Sequence, residues 1–328
     1  MLSHDFSLIF TTTGFLLSLV FNVILIYLTI FQIEKVAGTY RKMVIYFALL
    51  GVFFSGLENI ARPFAHNYKN YLVVFSINKW IGSQELLRFS VASWDGFYIV
   101  IVSFITVQFL YRYVCLFNPI KAELFDGWKI SIWAVCPFVP AILFTPTFYL
   151  FCSPDEDSNQ SLRSTILDNY FLEIANLPRF VVSPYSTDGS FKSGSIFFIV
   201  FAIFILVFHY CISLYCGIKM HFNIREKVKA FSKSQQKIQH QFFRALVVQS
   251  LSPTLLLILP VGPVLATPLF APHLGVGVNF QSGWIYSVVG LFPAIDSISF
   301  MLIVSETIFN GFQLNQHVGN DPEQYSVD

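Results

Sequence analysis

Between Arg244 and Asp296 the chain runs for fifty-one residues without a Lys, Arg, Asp or Glu. A bilayer core about 30 Å thick takes about 20 apolar helical residues per crossing, so this run is long enough for two. A turn-forming cluster from Ala271 to Gly277, with Pro272, Gly275 and Gly277, divides it and predicts a helical hairpin in lipid. Three more uncharged runs follow the same pattern: 28 residues from Phe6 to Ile33, 25 from Ile130 to Pro154 and 26 from Ser193 to Ile218. Two others hold a single acid each, Met43 to Ala61 with Glu58 and Phe89 to Tyr111 with Asp95. The predicted cores are 8–32, 43–63, 91–113, 129–151, 194–218, 245–270 and 280–304. Only helices and closed barrels satisfy backbone groups in lipid, and these runs lack the alternation of barrel strands. The expected fold is an all-α membrane protein, a seven-transmembrane helix bundle. It fills residues 1–310 as one domain and leaves a short polar tail at 311–328.

Composition agrees. Hydrophobic residues make up 55% of the chain and charged residues 12%, against roughly 45–50% and 25% in soluble domains. The first run has no preceding Lys or Arg and exceeds the roughly 7–15 residues of a signal-peptide core, which predicts a retained span. Lys and Arg number 3, 3 and 7 in the first, third and fifth connections, and 4 and 3 in the second and fourth. Positive residues favour the cytoplasmic side, so the N-terminus is expected outside and the C-terminus inside. Asn159, in the single Asn-x-Ser/Thr sequon, falls in the segment 152–193 that this places outside and is a candidate for glycosylation. In the same segment Leu162, Ile166, Leu167, Tyr170, Phe171 and Ile174 have roughly helical spacing. They suggest a short helix over the bundle mouth, either as a lid or as plain packing.

Charge inside lipid directs attention to a few residues. An Asp at the centre of a span costs about 2.5–3.5 kcal/mol on insertion scales, so intramembrane acids are functional candidates. Asp95 and Tyr98 lie near the outer end of the third span, and Glu58 and Asn59 in the outer half of the second. With Asn279 and Trp284 at the start of the seventh, they form the ligand-binding candidates; a solvated acid at a boundary is the alternative for Asp95 and Glu58. Asp296 lies three residues after Pro293, deep in the seventh span, where bonding to Ser297 or Ser299 is expected. Arg112, between Tyr111 and Tyr113, stands at the inner end of the third span, as a partner contact or as part of the positive inner face. Pro253, Pro260, Pro263 and Pro268 predict a bent sixth helix, either a moving element or a static kink. The seven cations from Lys219 to Arg244, interleaved with apolar residues, suit helical extensions near anionic lipid or a solvated loop. The five Cys show no metal spacing, the seven His are scattered, and HExxH, GxSxG and Walker patterns are missing. Neither an enzyme nor a cofactor or metal is expected, and a net charge of +1 gives no basis for nucleic-acid binding.

Several stretches, in order along the chain, resemble nematode serpentine chemoreceptors of the Str type. They are Gly38-Thr39-Tyr40-Arg41-Lys42-Met43-Val44-Ile45-Tyr46-Phe47, Glu58 to Pro63, Leu72-Val73-Val74-Phe75, Phe109-Leu110-Tyr111-Arg112-Tyr113 and Leu291-Phe292-Pro293-Ala294-Ile295-Asp296. The resemblance implies a G-protein-coupled receptor for a small lipophilic odorant or pheromone in the ciliary membrane of a chemosensory neuron. A heterotrimeric G protein and membrane lipids would be its partners. By the same resemblance Tyr111, Arg112, Tyr113, Pro260, Pro293 and Asp296 belong to coupling or the activation switch. Two departures stand out: Tyr111 replaces the acid that locks the equivalent Arg in rhodopsin-like receptors, and Ser305 to Asn310 lack the cations usual after the last span. A ligand-gated cation channel of opposite orientation and a seven-span transporter are the alternatives, but spans 1–3 and 5–7 show no internal similarity.

Overall fold

The computed structural model describes residues 4–31, 38–227, 229, 236, 247, 251–275 and 277–319. Most of the cationic connection from Lys219 to Arg244 lies outside the described residues. Among the described residues, seven helices are long and apolar enough to cross a membrane: Ser7–Phe31, Gly38–Ala61, Gln84–Phe117, Lys129–Phe151, Ser193–Asn223, Leu251–His273 and Gly283–Leu302. Each coincides with one of the seven expected spans. The third is the axis of the bundle, since every residue from Tyr98 to Phe109 is buried. A helix apolar on all sides has no preferred face and packs best when surrounded. The first and fifth helices instead turn Leu16, Val20, Val23, Phe204, Val207 and Phe208 outward. Much of the chain's Phe therefore faces lipid or fills the core.

Several boundaries differ from the sequence expectation, and three of them change the reading. The third helix starts seven residues earlier, at Gln84, because the Ser83 side chain accepts the Leu86 N–H and caps it. The sixth helix continues through Pro272 and His273 to Leu274 and stops at Gly275 in the left-handed region, φ 62°. Ala271 to Leu274 are thus its last turn and not the divider; a proline there removes one backbone bond without ending the helix, whereas Gly275 caps it. The last helix runs on to Gly319, through the start of the segment expected as a polar tail.

The sequence expectation of a purely helical fold missed a four-stranded antiparallel sheet at one end of the bundle. Strands β1 (Pro63–Tyr68), β2 (Tyr71–Ser76), β3 (Arg179–Val182) and β4 (Asn279–Phe280) stand in the order β3-β2-β1-β4. A two-residue turn with Lys69 at φ 52° joins β1 to β2 in the register Tyr68↔Tyr71. Side chains alternate along each strand. Ala65, Leu72, Val74, Phe180 and Val182 join the bundle core. Phe64, Tyr71, Val73, Phe75 and Val181 join a second core with Leu162 and Ile166.

Those last two belong to the cap helix, Glu156–Tyr170, which realises the helical spacing read in the sequence. Asp155 and Ser158 form a capping box at its start. It lies on the far face of the sheet, so the sheet and not the helix meets the bundle. Leu167 and Phe171 are exposed, leaving Leu162, Ile166 and Tyr170 to face the strands.

Candidate functional site

Directly beneath the sheet is a cavity of about 60 Å³. Leu72, Val74 and Val182 roof it, and Asp95, Tyr98 and Ile99 of the third helix line one wall. Phe144 and Phe148 of the fourth helix, Phe198, Ala202 and Leu206 of the fifth, Val261, Val264 and Leu265 of the sixth and Tyr286 of the seventh complete it. Gly96 lets the third and fourth helices approach, because a Cβ there would meet the Thr145 side chain. The Asp95 side chain is half-buried and opens onto the cavity, and no hydrogen bond or cation meets it among the described residues. Tyr98, one turn below, donates its hydroxyl to the Leu257 carbonyl at 3.2 Å.

Leu257 sits in an unusual turn. Thr254–Ile258 is π-helical, and the Leu259 N–H reaches the Thr254 carbonyl five residues back. It lies between Pro253 and Pro260. Neither proline has an N–H to give, so the ladder there is already broken and a wider turn is accommodated. Nearer the sheet, Pro268 cannot donate to the Val264 carbonyl; the Asn67 side chain of β1 does so instead, at 3.0 Å. Ser282 in turn donates to Asn67 Oδ1 at 2.8 Å. One asparagine therefore ties the sheet to the sixth and seventh helices.

The remaining ligand candidates are turned away from the cavity. Glu58 is buried with its carboxyl against the Gly290 backbone of the seventh helix, where any side chain would collide with it. Asn59 accepts a hydrogen bond from Thr12 of the first helix at 3.4 Å. Asn279 is exposed in β4, paired with Tyr68 and close to the buried His66 imidazole, whose titration is lowered mainly by burial. Trp284 is exposed and edge-on to Phe280 at 6.3 Å. Asn159 accepts from the buried Arg179 guanidinium, which also donates to the Leu177 carbonyl at 3.0 Å. Tyr286 and the aromatic wall were not anticipated. The fully buried Trp94 was missed too; it lies at 5.5 Å from Phe54 and 5.2 Å from Tyr286. Spacing along single helices cannot show which faces converge.

At the opposite end, the Arg112 guanidinium lies 3.5 Å over the Tyr40 ring of the second helix. Tyr40 in turn neighbours Phe300 of the seventh helix at 6.3 Å. Tyr111, at the position of the missing acid, is buried edge-on to Phe125 at 5.2 Å, and Phe125 stacks on Trp133 at 4.4 Å. Tyr113 stacks on Phe117 at 4.7 Å. Between the two ends, buried Asp296 lines a small gap with Asn22, Pro293 and Ser297. The serines expected to bond it are engaged elsewhere: Ser297 donates to Asn22 Oδ1 at 2.8 Å and Ser299 to the Ile295 carbonyl at 2.7 Å. Serines on a helix readily reach the carbonyl four residues back. No group of three or more metal-ligating side chains occurs among the described residues.

Comparison with known proteins adds a lineage to this geometry. Residues 7–306 match the family model described as serpentine type 7TM GPCR chemoreceptor Str. The chain is 35% identical over 310 residues to the G-protein coupled receptor str-33 of Caenorhabditis elegans, covering 92% of this chain and 89% of that one. It is 24% identical to the serpentine receptor class r-10 of the same nematode, over 84% and 82% of the two chains. The str-217 receptor of that species matches at 22% over 88% and 83%. This multi-pass chain therefore belongs to the Str family of seven-transmembrane serpentine chemoreceptors.

Proposed function

We propose that the chain is a G-protein-coupled chemoreceptor in which a small lipophilic odorant or pheromone-like ligand occupies the Asp95 cavity. Occupancy biases the helices toward a state that activates a heterotrimeric G protein. In this reading the sheet and the N-terminus face the outside, the Arg112 end faces the cytoplasm, and the receptor works in the ciliary membrane of a chemosensory neuron. The observation that carries it is the link from Tyr98 to Leu257. One turn of the third helix both lines the cavity and holds the π-helical turn of the sixth. A ligand that displaces Tyr98 releases a bent helix with two available arrangements, which is what an allosteric switch needs. Pro260 and Pro293 are the bend points in this scheme, and the gap lined by Asp296 and Asn22 is the polar region that shifts with them. Arg112 and Tyr113 form the surface offered to the G protein, and Tyr111 supports it from behind, buried against Phe125.

The test is a ligand screen by calcium imaging in cells expressing the full chain with a promiscuous G protein. An active compound is expected to lose its response entirely in Arg112→Ala at equal surface expression. A full response in that variant would remove Arg112 from the mechanism.

A further inference from the structure

The roof of the Asp95 cavity is closed. Leu72, Val74 and Val182 are 3, 2 and 1% exposed, the cap helix covers the other face of the sheet, and Asn67 fastens it to two helices. The walls are not all alike. Ile99 and Phe148 are as buried as the roof, at 1 and 2%. Leu206 of the fifth helix and Val261 and Leu265 of the sixth line the same cavity yet keep part of their surface exposed. Around them the fifth helix presents Phe204 and Val207, and the sixth Leu259, to the outside of the bundle. A way in that needs no strand to break runs between these two helices, through apolar surface.

Size and chemistry narrow the occupant. The cavity takes a small molecule, or the end of a larger one. Its lining is aromatic and aliphatic apart from the Tyr98 and Tyr286 hydroxyls and one carboxyl, at Asp95. A carboxyl in apolar surroundings is costly until a donor meets it, and ring faces such as those of Phe144, Phe148, Phe198 and Tyr286 attract a cation.

Resting on the receptor reading above, we infer that the cavity is filled from the bilayer, between the fifth and sixth helices, by an apolar molecule with one proton-donating head, an amine above all, that meets Asp95. Its body stays in the seam along Leu206, Val261 and Leu265.

The purified full chain in liposomes tests this without a G protein. Six- to eight-carbon alkyl and phenylalkyl amines, each paired with the alcohol and ketone of equal size, are titrated against the thermal unfolding midpoint. Amines should raise the midpoint of the wild type, and Asp95→Asn, at an unchanged ligand-free midpoint, should require about tenfold more amine or worse. Should Asp95→Asn fail to fold, Leu206→Trp crowds the seam without touching the carboxyl and must weaken amine binding as strongly. Equal stabilisation by the alcohols and ketones, or no stabilisation by any amine, overturns the chemistry. For the route, Val73→Cys/Val181→Cys staples facing strands on the side away from the cavity. Amine binding must be the same in the oxidised and reduced forms; loss on oxidation with recovery on reduction overturns entry from the bilayer. Failure of either arm leaves G-protein coupling untouched, whereas a receptor that binds amines but never drives nucleotide exchange overturns the receptor reading instead.

Discussion

Asn67 illustrates how much a single side chain carries. Its amide answers the Val264 carbonyl that Pro268 leaves unpaired, while its oxygen takes the Ser282 hydroxyl. A buried polar group left without a partner costs about 1–3 kcal/mol. Asn67→Leu should therefore lower stability by about that amount, read as a fall in the detergent unfolding midpoint, with Asn59→Leu at the 3.4 Å Thr12 contact costing less. Nothing in the sequence marks Asn67, because its partners are 197 and 215 residues away along the chain. Glu58 is the reverse case. As an acid within a span it declares itself costly, but its neighbour Gly290, whose bare backbone makes room for the carboxyl, is visible only in three dimensions.

At the scale of elements, the prolines of the sixth helix announced a bend, and the π-helical turn at Thr254–Ile258 is the form it takes. Tyr98 holds that turn. Tyr98→Phe removes one hydrogen bond worth about 0.5–1.5 kcal/mol, so basal nucleotide exchange should rise about two- to tenfold with expression unchanged. An unchanged basal rate would mean that the bond does not restrain the sixth helix. The cap helix was legible because a local capping box and local spacing specify it. The strands were not, since six residues buried on both faces show no alternation of apolar and polar positions. In the first turn of the cap helix, Asp157 accepts from the Thr187 hydroxyl, from Lys192 and from Ser186, and is held down to about 2 from an ordinary 3.8, the Thr187 bond contributing most. Its folded value lies below its unfolded one. The stability it contributes is present above about pH 4 and disappears as pH falls from about 4 to about 2. Protection of residues 183–192 against hydrogen exchange should fall across that window in the wild type, and fall less in Asp157→Asn, where Asp155 and Asp188 still titrate.

For the whole molecule, the sequence determined seven crossings, and the reason is energetic: no water in the bilayer core satisfies a backbone, so each span must be a long, locally bonded, nearly uncharged helix that leaves its mark in consecutive residues. It also marked the acids and the third-helix arginine as residues whose burial requires a reason. Which of them share a cavity was decided only by tertiary structure. Asp95 and Tyr98 came together with Tyr286, while Glu58, Asn59, Asn279 and Trp284 went to other surfaces. Helix rotation depends on packing between distant segments, and in lipid an apolar surface does not by itself say whether it faces a neighbour or the membrane. The sheet belongs with these features: its strands come from three separate connections, and their pairing exists only once the helices have set those connections side by side.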